Sequence, residues 1–203
     1  MVSIILKEIL RKSIHLLGIL IPGIYYFIDR STAILWLSLI VGVLFIAEWM
    51  RLREIISFPS IILRSHEVHK VAGHLYLMAS ALIVIALFSK TIAIAAITMA
   101  VIGDTSSGIV GALWGKKAHV RHTRLPLKPA PILLVMFLTS FISGYLATLA
   151  PRLDTLPVFS LALGALGAML ADGIPWQIRG RILDDNLTIP IISALIIFLS
   201  PGF

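Results

Sequence analysis

Fourteen of the seventeen lysines and arginines fall in alternate connections between the apolar runs of the chain, and only Arg30, Lys90 and Arg152 fall in the others. The runs lie near 14–28, 32–48, 71–88, 91–114, 132–150, 157–174 and 187–200. Several are at the short limit of the ~20 residues that cross ~30 Å of hydrocarbon as a helix. Lys and Arg are retained on the cytoplasmic side of membrane helices, so their distribution reports orientation where net charge does not. The alternation predicts an all-α integral membrane protein, a bundle of about seven transmembrane helices with the N-terminus cytoplasmic and the C-terminus outside. A missed or invented span would scramble it.

A hydrophobic fraction of 59% and a mean hydropathy of +1.01 are beyond what a water-soluble domain of 203 residues reaches. Low-complexity tracts and internal repeats are absent, and 1–203 reads as a single domain. The pI near 10.1 does not point to nucleic acid. Basic connections beside spans serve topology and anionic-lipid contact, and no nucleic-acid motif accompanies them. Zero cysteines exclude disulfides, thiol nucleophiles and thiolate metal sites. No cleavable signal peptide is expected, because the first apolar run contains Pro22-Gly23 and lacks a small-residue cleavage site.

The same division sorts the other polar groups. Glu8, Glu48, Glu54, Glu67, Asp104, Asp172, Asp184 and Asp185 fall toward the cytoplasmic side with all six histidines, while Asp29 and Asp154 lie opposite. Chemistry is therefore expected on the cytoplasmic face.

Within that face, the stretch Gly103-Asp104-Thr105-Ser106-Ser107-Gly108, continuing through Gly111 to Gly115, Lys116 and Lys117, departs most from a plain membrane helix. As a helix it places Asp104, Gly108, Gly111 and Gly115 at i, i+4, i+7 and i+11, on one face. Small residues so spaced let helices pack backbone to backbone, and Gly111 with Gly115 alone would be read that way. Packing does not explain Asp104. An acid at membrane depth costs roughly 2.5–3.5 kcal/mol on insertion scales, so it faces a cavity, a partner or a substrate path.

Other candidates follow in chain order. His15 falls one turn after Arg11 on the same helical face, and with Lys12 they sit at the headgroup level, where a snorkelling basic cluster is the plainer explanation. Glu48-Trp49-Met50-Arg51 has the form of an interface anchor. His66 and His69 are spaced as a metal pair, but without a firm third ligand zinc is not expected. Between Lys116 and Pro131 the basic connection carries Lys128 and three prolines that prevent a helix, a rigid cationic loop suited to a phosphorylated ligand. Asp172 stands at the cytoplasmic end of the sixth run, just before a Gly173-Ile174-Pro175 break. In Asp184-Asp185-Asn186-Leu187-Thr188-Ile189-Pro190, one acid serves as helix cap and Pro190 belongs in a first turn. Two adjacent acids and an amide exceed that need, and paired carboxylates suit a Mg²⁺ that also bridges phosphates.

Taken together, these residues resemble the CTP-dependent lipid kinases, the family of dolichol kinase, phytol kinase and the yeast-type diacylglycerol kinase. The matching motifs are Arg11-Lys12-x-x-His15-x-x-Gly18, Gly73-His74-Leu75-Tyr76, Gly103-Asp104 through Gly108, Gly111 and Gly115-Lys116, and the segment from Asp184 to Pro190. They occur in the family's order over most of the chain. Three departures stand out: Lys128-Pro129-Ala130-Pro131 lacks the family's Glu-Gly element, Asp172 stands where Glu is common, and Thr105-Ser106-Ser107 replaces Ala-rich neighbours.

The resemblance implies Mg²⁺-dependent transfer of the γ-phosphoryl group of CTP to a polyprenol or dolichol-type alcohol, or to a diacylglycerol-like lipid. It implies Asp104, Asp184 and Asp185 as metal ligands and Asp104, Asp185 and His15 in catalysis. Nucleotide contacts would come from Lys116, Lys117, Lys128, Arg11, Lys12 and Asn186, with Gly108, Gly111 and Gly115 permitting close approach. The partners implied are CTP, the lipid alcohol and the bilayer, with a homo-oligomer left open. The location implied is a prokaryotic plasma membrane with the active face cytoplasmic. A CTP:phospholipid cytidylyltransferase shares a similar Gly-Asp and Gly-Lys pattern, and a small ion-coupled transporter or membrane scaffold is the alternative outside enzymes.

Overall fold

The computed structural model describes residues 12–13, 15–58, 70–114, 128–178 and 181–201. Arg11, Gly115, Lys116 and Lys117, as well as His66 and His69, lie outside the described residues. The described chain is helical. After a 3₁₀ turn at Leu17–Ile19 come α1 (Leu20–Phe27), α2 (Arg30–Leu52), α3 (Gly73–Leu87), α4 (Lys90–Trp114), α5 (Ala130–Thr148), α6 (Val158–Gly173) and α7 (Asp185–Leu199). A two-residue antiparallel ladder joins α6 to α7, pairing β1 (Gln177–Ile178) with β2 (Arg181–Ile182).

Three of these helices are long and apolar enough to cross a membrane: Arg30–Leu52, Lys90–Leu113 and Ala130–Thr148. The other four are apolar but shorter. Their roles differ by burial. Over the apolar window of α4, 78% is buried, against 17% for α2, so α4 is the core and α2 a peripheral helix. A helix apolar on every side is one surrounded by others. Thr91 to Val101 are all buried, and the alanines in that run leave room for neighbours on each face. Outward-facing Leu35, Trp36, Leu39, Val43, Phe45 and Ile46 on α2 are more than half exposed. So large an apolar surface fits contact with lipid.

Close packing around α4 depends on the absence of side chains. A Cβ on Gly103 would overlap Ser140 Oγ and come within 2.8 Å of Met136 Sδ on α5. The Ser140 hydroxyl donates instead to the Met99 carbonyl at 3.1 Å, satisfying a buried donor across the α4/α5 contact.

The turn between α1 and α2 is set by Asp29. Ile28 is extended, and Asp29 caps α2 by accepting from the Thr32 N–H at 2.9 Å and the Thr32 hydroxyl at 2.7 Å. Those bonds favour the ionised carboxylate and hold Asp29 below the usual carboxylate range.

Pro190 is not in the first turn of α7 as its sequence context suggests; it is the sixth helical residue. Lacking an N–H, it leaves the Asn186 carbonyl without its helical donor. Ser80 on α3 supplies the replacement, its hydroxyl donating to Asn186 O at 2.9 Å. The proline thus creates the acceptor through which the start of α7 is tied to α3.

Candidate functional site

Three helices bring one acid each to the same place. Asp104 lies three residues beyond the unbroken buried run of α4, Asp172 lies one residue before the end of α6, and Asp185 opens α7. The short β ladder folds α7 back beside α6, which places the end of one next to the start of the other. One oxygen from each carboxylate lies within 4.8 Å of the other two. Asp104 and Asp172 are buried and Asp185 is half-buried.

Two lysines enter the cluster. Lys12 is 2% exposed; its Nζ donates to Asp104 Oδ2 at 2.6 Å and to the Asp104 main-chain oxygen at 2.8 Å. His15 Nε2 is 3.3 Å from the same Oδ2. Lys128 Nζ donates to Asp172 Oδ1 at 2.6 Å, and its backbone N–H reaches the Gly173 carbonyl at 3.3 Å. Burial works against the Lys128 charge, but Asp172 beside it, with Asp185 and Asp104 farther off, outweighs this and raises its pKa above the ordinary lysine value.

Lys12 and Lys128 thus face Asp104 and Asp172, and Asp185 completes the group beside them. The buried oxygens that lack a hydrogen-bond donor among the described residues include Asp172 Oδ2 in the cluster and Asn186 Oδ1 beside Asp185. Clustered carboxylates and undonated oxygens are what a hard, oxygen-seeking cation such as Mg²⁺ satisfies. The donor set therefore fits a divalent ion.

Of the three acids expected as ligands, two lie in this group. Asp104 and Asp185 meet. Asp184 does not belong to the three-carboxylate group; its Oδ1 accepts from the Asn186 N–H at 3.0 Å and from Asn186 Nδ2 at 2.8 Å, as the cap of α7. Asp172 is the third acid of the group. The signal for it was present in the chain, an acid directly before a helix break on the same side as Asp104 and Asp185.

Gly108 has a partner that spacing along α4 could not show. A Cβ there would overlap Lys12 Cε and lie 2.7 Å from Lys12 Nζ, so the lysine reaches Asp104 by lying across the bare glycine. Gly111, one turn on, would meet only Ile132 at 3.6 Å, an ordinary contact. Gly108→Ala is expected to push the lysine end off Asp104 and lower the melting temperature in detergent, whereas Gly111→Ala is nearly neutral. In a Lys12→Ala background the Gly108→Ala penalty should vanish, since a double-mutant cycle isolates a shared contact. Additive losses would show that Gly108 acts elsewhere.

A second polar network occupies the ends of α2 and α3. Arg51 donates to Glu48 Oε2 from Nη2 at 2.6 Å and from Nε at 3.1 Å, and Nη2 also reaches the Lys70 carbonyl at 2.5 Å. His74 Nε2 lies 3.5 Å from Glu48 Oε1. Glu48 and Arg51 have the sequence form of an interface anchor, yet they are 2% and 7% exposed and tie α2 to the segment preceding α3.

No protein-family model, curated protein or solved structure matches the chain.

Proposed function

We propose that the protein is a membrane-embedded, Mg²⁺-dependent kinase that transfers the γ-phosphoryl group of CTP to the hydroxyl of a long-chain lipid alcohol. The observation that carries this reading is the convergence of Asp104, Asp172 and Asp185 from three helices, with Lys12 and Lys128 against them. Phosphoryl transfer is mainly positioning and charge neutralisation, and acids for a metal with cations for phosphates are its recurring parts. The ordered motifs shared with CTP-dependent lipid kinases support the same assignment. In this reading the chain crosses a prokaryotic plasma membrane about seven times, N-terminus inside, so the cluster faces the cytoplasm where the nucleotide is.

Asp104, Asp172 and Asp185 would hold the metal ion, which supplies neutralisation of the phosphate charge. Lys12 and Lys128 exchange their carboxylate partners for phosphate oxygens, acting as point charges. His15 accepts the proton of the lipid hydroxyl as its oxygen attacks the γ-phosphorus and CDP departs. Its 3.3 Å approach to Asp104 stabilises the imidazolium so formed.

Purified protein incubated with labelled CTP, ATP and a panel of lipid alcohols tests this. The expected products are CDP and a phosphorylated lipid, abolished by EDTA and restored by Mg²⁺. Release of pyrophosphate would replace the kinase by a cytidylyltransferase. Absence of turnover with every pair, in protein that is folded and binds Mg²⁺, would leave the transporter or scaffold reading.

A further inference from the structure

Consecutive helices α1 and α2 do not rest mainly on each other. α1 lies chiefly on α4 and α2 chiefly on α3, which leaves a gap between them. That gap is an elongated cavity of about 740 Å³, bounded by α1, α2 and α3. At one end stand His15, His74 and Asn186, and at the other Ile28, Thr32 and Ile85. Gly73 and Ile85 both line it and are twelve residues apart on α3, a span of roughly 18 Å at the helical rise.

Polarity is graded along this length. The polar end shares His15 with the carboxylate cluster and Asn186 with the start of α7, while His74 is backed by Glu48 and Arg51. The remainder is almost wholly aliphatic and aromatic. On α2 the lining residues Thr32, Trp36 and Ile40 recur every fourth position, one continuous stripe. Leu20, Ile24 and Trp36 at the rim are more than half exposed, so the groove opens sideways. Its length exceeds half of ~30 Å of hydrocarbon, the depth of one leaflet. At roughly 30 Å³ per water-sized group, the volume holds about 25 groups. One chain of some twenty carbons and its head fill it; two such chains do not.

We infer that this groove seats the acceptor, and that the acceptor is a single-chain lipid alcohol rather than a two-chain glyceride. Its hydroxyl lies between His15 and His74 and its chain runs toward Ile28 and Ile85. A longer chain leaves through the side opening. This rests on the kinase reading for the fate of the hydroxyl, but the groove and its occupant can be tested without nucleotide. His74 is a positioning residue here, set by Glu48, and the gap between α1 and α2 is the entrance from the bilayer.

The test uses two twenty-carbon alcohols, one with a photoreactive diazirine at the far end of the chain and one with it near the hydroxyl, added to the protein in vesicles of diacyl phospholipid. The far-end probe is expected to label near Ile28, Ala33 and Ile85, and the near-head probe near Gly73 and Leu77. An unlabelled single-chain alcohol should compete about tenfold better than a diacylglycerol of equal chain length. Ala33→Phe, at the distal end, should reduce labelling by a twenty-carbon probe about tenfold and leave an eight-carbon probe unaffected. A general folding defect would lower both.

Labelling spread over the lipid-facing side of α2, equal competition by diacylglycerol, or displacement by the vesicle phospholipid itself would overturn the inference. Correct labelling without phosphoryl transfer under any nucleotide would sink the kinase reading and leave the groove standing. Transfer with labels outside the groove would do the reverse.

Discussion

Asp104→Asn is expected to lower phosphoryl transfer by on the order of 10³-fold or more, the scale on which loss of a charge-neutralising group acts in this chemistry. The carboxylate belongs to the three-acid cluster and is also the anion that holds Lys12 in place at 2.6 Å. The side chains of Lys12 and Asp104 are 3% and 5% exposed. Removing one charge of a buried pair leaves the other uncompensated, at a cost of about 3–5 kcal/mol. The single variant is therefore also expected to melt earlier. Combining Asp104→Asn with Lys12→Met removes both charges at nearly constant volume and should restore much of the melting temperature. It should not restore Mg²⁺-dependent transfer or the binding of Mn²⁺ followed by electron paramagnetic resonance. Turnover persisting in Asp104→Asn would take this residue out of the metal site.

What was legible in the chain was the part governed by local regularity. Apolar runs bounded by basic connections mark the helices, and the bare face with one acid marks Asp104, because an acid at that depth is costly unless used. In the first run a 3₁₀ turn at Leu17–Ile19 interrupts the helical residues, with His15 and Leu16 before it and Leu20–Phe27 after it, and the run ends where Asp29 caps the next helix. Relations between distant residues were not legible. Lys12 and Asp104 are 92 positions apart, and nothing in either neighbourhood reveals that the lysine crosses Gly108. Glu48 and Arg51 have the composition of a solvated anchor, and only the path of the chain before α3 makes them buried. The groove belongs to no motif at all. It results from two successive helices choosing different neighbours.

Asp172 and Asp184 provide the sharpest contrast between what adjacency suggests and what the fold does. Asp184 sits beside Asp185 in the chain, yet its carboxylate is engaged by the backbone and side-chain amides of Asn186. Asp184→Ala should therefore behave as the loss of a helix cap, about 1 kcal/mol of stability, with transfer retained once the protein is folded. Asp172→Asn keeps the shape but removes a charge from the cluster, and transfer should fall at least about 100-fold. It also removes the anion facing Lys128. A lysine whose pKa is raised on folding stabilises the protein fully below its unfolded value of ~10.4, and that contribution is lost as pH rises through the folded value. Wild-type stability should therefore decline over that alkaline window by an increment that Asp172→Asn lacks. Measuring transfer and alkaline unfolding on both variants separates the two acids. An inactive Asp184→Ala beside a fully active Asp172→Asn would return the ligand set to Asp104, Asp184 and Asp185.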